Sequence, residues 1–122
     1  MITKEEQNIV HQYILLLIAK KALEVDLSQL EKSPLKFKEP YMELLVSLLD
    51  KIGKELGIIK RYMNQHQLKV NKKNNDGMFS KYEYFCRGYH STHHYLNTHL
   101  KNQVSEYITS CIFEDKKTHK TS

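Results

Sequence analysis

The sequence predicts a mainly α-helical fold, a small bundle built on two long antiparallel helices. Three observations carry that prediction. Apolar residues recur at helical spacing over two long stretches, turn signals crowd into one short segment, and only four glycines and two prolines interrupt 122 residues. A chain of this length builds one core, burying roughly two-thirds of the surface its unfolded form exposes. Residues 1–113 therefore read as a single helical domain, and the nine polar residues 114–122 read as a frayed tail.

The first helix is expected near residues 4–31. Thr3 and Glu6 have the spacing of a capping box. Ile9, Tyr13, Leu16, Leu23, Leu27 and Leu30 then recur at three, four or seven residues. Val10, Ile14 and Leu17 widen the stripe to the broad face of a buried helix. Ser33-Pro34 turns the chain toward extended geometry and ends the helix.

The second helix is expected near 40–66, opening at Glu39-Pro40, where the missing proline N–H costs little. Tyr41, Leu45, Leu48, Ile52, Leu56, Ile59 and Met63 keep the three/four rhythm. Gly53 and Gly57 interrupt it one turn apart, each costing about 1 kcal/mol against alanine. Close packing of the first helix against that face is the expected compensation.

Residues 68–85 break the helical rhythm. The cluster Asn74-Asn75-Asp76-Gly77 between Leu68-Lys69-Val70 and Met78–Phe85 reads as the turn of a short β-hairpin. Ser80 and Glu83 also fit a capping box, so 78–87 reads as strand or as the start of a helix. From near Gly88 the helical rhythm resumes through Leu96, Leu100, Val104, Tyr107, Ile108, Cys111 and Ile112. Asn97 is a candidate cap, so one or two C-terminal helices complete the bundle.

Several classes are excluded on composition. The longest apolar run, Tyr13–Ala19, has seven residues, where a membrane span needs about 20. The N-terminus lacks the apolar segment of a signal peptide, and two cysteines make no disulfide framework, so a cytoplasmic protein with free thiols is expected. No phosphate-binding glycine loop and no nucleophile elbow occur, so no catalytic residues are assigned, no cofactor is expected, and the chain does not read as an enzyme.

The stretch from about Leu35 to Phe113 carries Lys38-Glu39-Pro40-Tyr41, Leu68-Lys69-Val70, Asp76-Gly77-x-Phe79, Arg87-Gly88-Tyr89 and Tyr95-Leu96-Asn97. Through these motifs it resembles the YhjD-like family, small proteins of Gram-positive bacteria, over about two-thirds of the chain. The resemblance implies that the turn and aromatic positions belong to one recurring fold. It brings no activity and no catalytic residues with it.

Three features remain as candidate sites. Four of the seven histidines fall within 90–99; on a helix His90 and His94 share a face and reach one metal ion, but no third ligand is identifiable, and His66, His11 or Glu83 come near only through folding. The favoured reading of the cluster is a polar helix face sensitive to pH, with the metal site as the minor one. Cys86 lies four residues before His90, the spacing of a thiol–imidazole pair on a helix, whereas Cys111 fits the apolar stripe.

The second feature is charge. Residues 50–73 hold seven lysines and arginines against Asp50 and Glu55, a net +5 that equals the charge of the whole chain. Lys54, Lys60, Arg61, Lys69, Lys72 and Lys73 are thus candidate phosphate contacts for a nucleic acid. Against base reading, the chain has only Arg61 and Arg87 as arginines. The third feature is the aromatic density of Tyr82, Tyr84, Phe85 and Tyr89, residue types enriched at interfaces. Tyr82, Tyr84 and Tyr89 are the expected anchors for a protein partner or a second copy of the chain; the equal alternative is that the aromatics close the core between hairpin and helices. The leading expectation is a small non-enzymatic binding or regulatory protein acting through a protein partner, with nucleic-acid binding as the alternative.

Overall fold

The structure, a computed structural model, describes residues 2–121, with side chains to residue 114. Its elements run α1 (Lys4–Glu31), α2 (Glu39–Gln65), β1 (Leu68–Asn75), β2 (Phe79–Cys86), β3 (Tyr89–Leu96) and α3 (Asn97–Thr121). The expected tail, 114–122, lies almost wholly outside the residues whose side chains are described.

The first helix starts where its capping box puts it. The Thr3 hydroxyl accepts the N–H of Glu6 at 3.0 Å, and the Glu6 carboxylate accepts the N–H of Thr3 at 2.9 Å. At the far end the Ser33 hydroxyl donates to the Leu30 carbonyl at 2.8 Å. Pro40 sits in the first turn of α2. The two helices are antiparallel: Glu6 at the start of α1 touches His66 just past α2, while Lys38, ahead of α2, bonds the Glu31 carbonyl.

Gly53 and Gly57 do not mediate that packing. A Cβ built on either meets nothing within 4 Å, because both lie on the solvent side of α2. The face of α2 that packs is Leu48, Ile52, Leu56, Ile59 and Met63.

The mainly-α class expected from the sequence is overturned by a three-stranded antiparallel sheet in the order β1-β2-β3. The hairpin near 68–85 is present as β1 and β2. Asp76 holds its turn by accepting the N–H groups of Met78 and Phe79 at 3.0 and 2.7 Å, with Gly77 at φ +94°. The surprise is residues 89–96, which form a third strand and not a helix. Arg87 and Gly88, at φ +48° and +87°, make the two-residue reversal that antiparallel strands favour. One helix follows, starting at Asn97, whose N–H bonds the Met78 carbonyl at 2.8 Å and whose side-chain amide bonds Asn75 at 2.9 Å.

The helices cover one face of the sheet. Alternation along β2 buries Ser80, Tyr82, Tyr84 and Cys86. Tyr82, Tyr84 and Cys86 share one buried core with Val10, Ile14 and Ala19 of α1, with α2, and with Leu100, Val104 and Cys111 of α3. The opposite face of the sheet is open to solvent.

Candidate functional site

The open face is laid out in cross-strand rows. Lys69, Phe85 and His90 form the first, Asn71, Glu83 and Thr92 the second, Asn74, Lys81 and His94 the third, and Phe79 with Leu96 the fourth. Phe79, Phe85 and Leu96 stay 37–40 % exposed, so three large apolar side chains stand on a surface that no element of the chain covers. The Phe85 and His90 rings stack, with centroids 4.8 Å apart.

Glu83 is the single acid in these rows, and it is flanked by cations. A bulge in β1 between Lys72 and Asn74 leaves Lys73 as the extra residue, and its Nζ lies 3.6 Å from the Glu83 carboxylate. The Nε2 of His90 lies 3.4 Å from the same oxygen. Lys69, Lys73 and Lys81 thus outnumber the one carboxylate. Beyond the first row, Phe85, Lys69, Asn64 and Gln67 border a cleft of about 370 Å³. On the other side of β1, Lys60, Asn64, Lys69 and Asn71 border a second, of about 260 Å³.

The histidine pair does not form the metal site the helical reading implied. In a strand, residues four apart on one face are separated by about 13 Å, too far for one ion. His90 and His94 occupy different rows of β3. His66 instead bonds Glu6, and His11 stacks on Tyr95. Among the described residues no group of three or more His, Cys, Asp or Glu is placed to hold a metal. The Cys86–His90 pairing lapses for the same reason: Cys86 is buried on the inner face, whereas His90 stands on the outer one.

Of the three expected anchor tyrosines, Tyr82 and Tyr84 lie in the core at 6 % and 3 % exposure, and only Tyr89 is exposed. Tyr82 packs edge-on against Tyr95, and Tyr84 against His93. The six basic candidates do not form one patch. Lys54 pairs with Asp50 on the outer side of α2, and Arg61 is exposed near the end of that helix. Lys60 and Lys69 share the smaller cleft, Lys73 meets Glu83, and Lys72 sits on the inner-face register opposite Tyr82. The aromatic cluster read from the sequence includes Phe85, but its expected anchors are the tyrosines, and none of Phe79, Phe85 and Lys81 is among the expected site residues. Their signal was the alternation Phe-Ser-Lys-Tyr-Glu-Tyr-Phe-Cys, which separates two faces once 79–86 is read as a strand.

A second cluster is closed in on itself. The carboxylate of Glu6, 1 % exposed, takes Arg87 Nη1 at 2.6 Å, Arg87 Nη2 at 3.0 Å and His66 Nδ1 at 2.9 Å. The Arg87 guanidinium, helped by the Thr3 N–H, holds the Glu6 carboxyl well below the usual carboxylate range against the opposing effect of burial. A carboxylate so saturated has no proton to give and little basicity to offer. Its role is to tie elements together.

Among the described residues no helix is long and apolar enough to cross a membrane. No solved structure matches the chain. A curated relative from Bacillus subtilis (strain 168), named Uncharacterized protein YhjD, is 31 % identical over 88 residues, covering 72 % of this chain and 73 % of its own length. The family model described as YhjD protein matches residues 1–116, and the chain belongs to that family.

Proposed function

We propose that this protein is a non-enzymatic cytosolic binding module that takes single-stranded nucleic acid on the open face of its sheet. One observation carries the reading: Phe79 and Phe85 stand solvent-exposed on an uncovered antiparallel face, among Lys69, Lys73 and Lys81 and a single, already paired acid. Exposed aromatics on a sheet stack bases of any sequence, and lysines beside them hold the phosphates. The scarcity of arginine, which argues against reading base edges in a duplex, is no obstacle to stacking. Two buried free thiols, Cys86 and Cys111, suit a reducing compartment. The protein-partner reading loses its anchors on this surface, because Tyr82 and Tyr84 belong to the core.

The test is anisotropy of a labelled oligo(dT) and oligo(U) titrated with the protein across salt concentrations. Three lysine contacts predict a log–log salt slope of about −2, from about −0.7 per contact on a single strand. Phe85→Ala should weaken binding about tenfold, within the range for losing one stacked base. Binding that ignores Phe85→Ala and Lys81→Ser, or no binding at about 50 mM salt, overturns the reading.

A further inference from the structure

The outer side of α2 carries a seam that nothing in the fold uses. Glu39, Glu43, Val46, Asp50, Gly53, Gly57 and Lys60 recur at alternating four- and three-residue steps, the spacing of a coiled-coil contact line. All seven are exposed, and Val46 is 53 % so. Met42 and Val46 floor an apolar groove of about 550 Å³ along the first half. Gly53 and Gly57 flatten the second half, where an added Cβ meets only open space. Charge divides the same way: Glu39 and Glu43 mark the N-terminal half, Lys60 and Arg61 the C-terminal half.

We infer that α2 is the contact of a homodimer, packing antiparallel against α2 of a second copy about a two-fold axis between Asp50 and Gly53. The pattern is self-complementary in that orientation alone. With the axis there, Val46 of each copy lies over Gly57 of the other, so a branched side chain meets a flat stretch of backbone. Glu43 then faces Lys60, and the acidic half of each helix meets the basic half of its mate. Near the axis Asp50 is already neutralised by Lys54 at 3.3 Å. A parallel pairing instead sets acid against acid and leaves both ends repelling. Every contact is made twice, as an isologous interface requires. The seam is about 30 Å long at 1.5 Å per residue, and the two glycines let the helix backbones approach closely. This inference does not rest on the nucleic-acid reading, since the open sheet face is built from other residues.

Sedimentation equilibrium of the untagged protein over a wide concentration range tests it. The expected result is a monomer–dimer equilibrium that weakens as salt rises. Gly57→Leu should raise the dissociation constant about tenfold or more while leaving the far-ultraviolet dichroism unchanged, because that position is empty in the monomer. Glu43→Lys and Lys60→Glu should each weaken the dimer, and the double exchange should restore it. A wild-type protein that stays monomeric at its highest soluble concentration overturns the inference. So does a dimer whose constant is unmoved by Gly57→Leu, or one that the double exchange fails to restore.

Discussion

The guanidinium of Arg87 grips the carboxylate of Glu6 with both terminal nitrogens, at 2.6 and 3.0 Å, across 81 positions of chain. Three elements meet at this contact. Glu6 closes the capping box of α1, His66 follows the last turn of α2, and Arg87 is the first residue of the β2–β3 reversal. Arg87 Nη1 also bonds the His66 carbonyl at 2.9 Å. The anchor explains an arginine at φ +48°, a conformation that costs a side chain about 1 kcal/mol and that glycine or asparagine ordinarily fills. Paired in this way the buried carboxylate is tolerated; left alone it is not.

Removing either partner should therefore be costly. Glu6→Ala deletes the ion pair and the reciprocal cap, and should lower the unfolding free energy by about 3 kcal/mol. That is the low end for a buried pair, because the Arg87 side chain is 38 % exposed. Urea denaturation measures it, and a loss under about 1 kcal/mol would make the contact ornamental. Arg87→Lys should rescue little of an Arg87→Ala defect, since an ammonium cannot bond both oxygens in parallel.

The acid limb of stability should follow the same carboxylate. Arg87, the largest cause, depresses the folded pKa of Glu6 below its unfolded value of about 4.3. The stabilisation is complete above that unfolded value and drains away as pH falls below it toward the folded one. Melting temperature should be level from neutrality to about pH 5 and decline below about pH 4. Asp76, depressed by the N–H groups of Phe79 and then Met78, adds a smaller loss of the same sign. Glu6→Gln should flatten most of the decline, and an undiminished acid slope in that variant would assign it elsewhere.

The glycines should respond in opposite directions. Gly88→Ala places a side chain at φ +87° and should destabilise by about 1 kcal/mol. Gly53→Ala, in a helix interior with nothing within 4 Å of the new methyl, should stabilise by about 0.5–1 kcal/mol. Thermal melts of both variants at low protein concentration read the two signs.

The tyrosines of the sheet divide by burial. Tyr84→Ala empties a core position and should cost about 3 kcal/mol or more, visible as a lowered urea midpoint. Tyr89→Ala, at an exposed strand end, should stay within about 0.5 kcal/mol of wild type. Equal effects would mean that the burial of Tyr84 beneath the helices does not define the core.

Local signals were enough for α1, α2 and the first hairpin. Thr3 and Glu6 satisfy their own helix end, Pro40 fits a first turn, and Asp76 bonds the amides two and three residues ahead. Each of these acts over a few residues, so the sequence states it outright. The third strand was of another kind. Its turn, Arg87-Gly88, has a weak local preference, and what secures it is a carboxylate on the first turn of α1. Histidines at 90 and 94 look like one helical face or two distant strand positions, and only the pairing of β3 with β2 decides between them. The candidate site shares that dependence. Period-two alternation marks Phe79, Lys81, Glu83 and Phe85 as one face, but the core that Tyr82 and Tyr84 share with the helices decides which face is buried and which meets solvent. Short-range hydrogen bonding is written in neighbouring residues; the choice of which surface to hide is made by contacts between elements far apart in the chain.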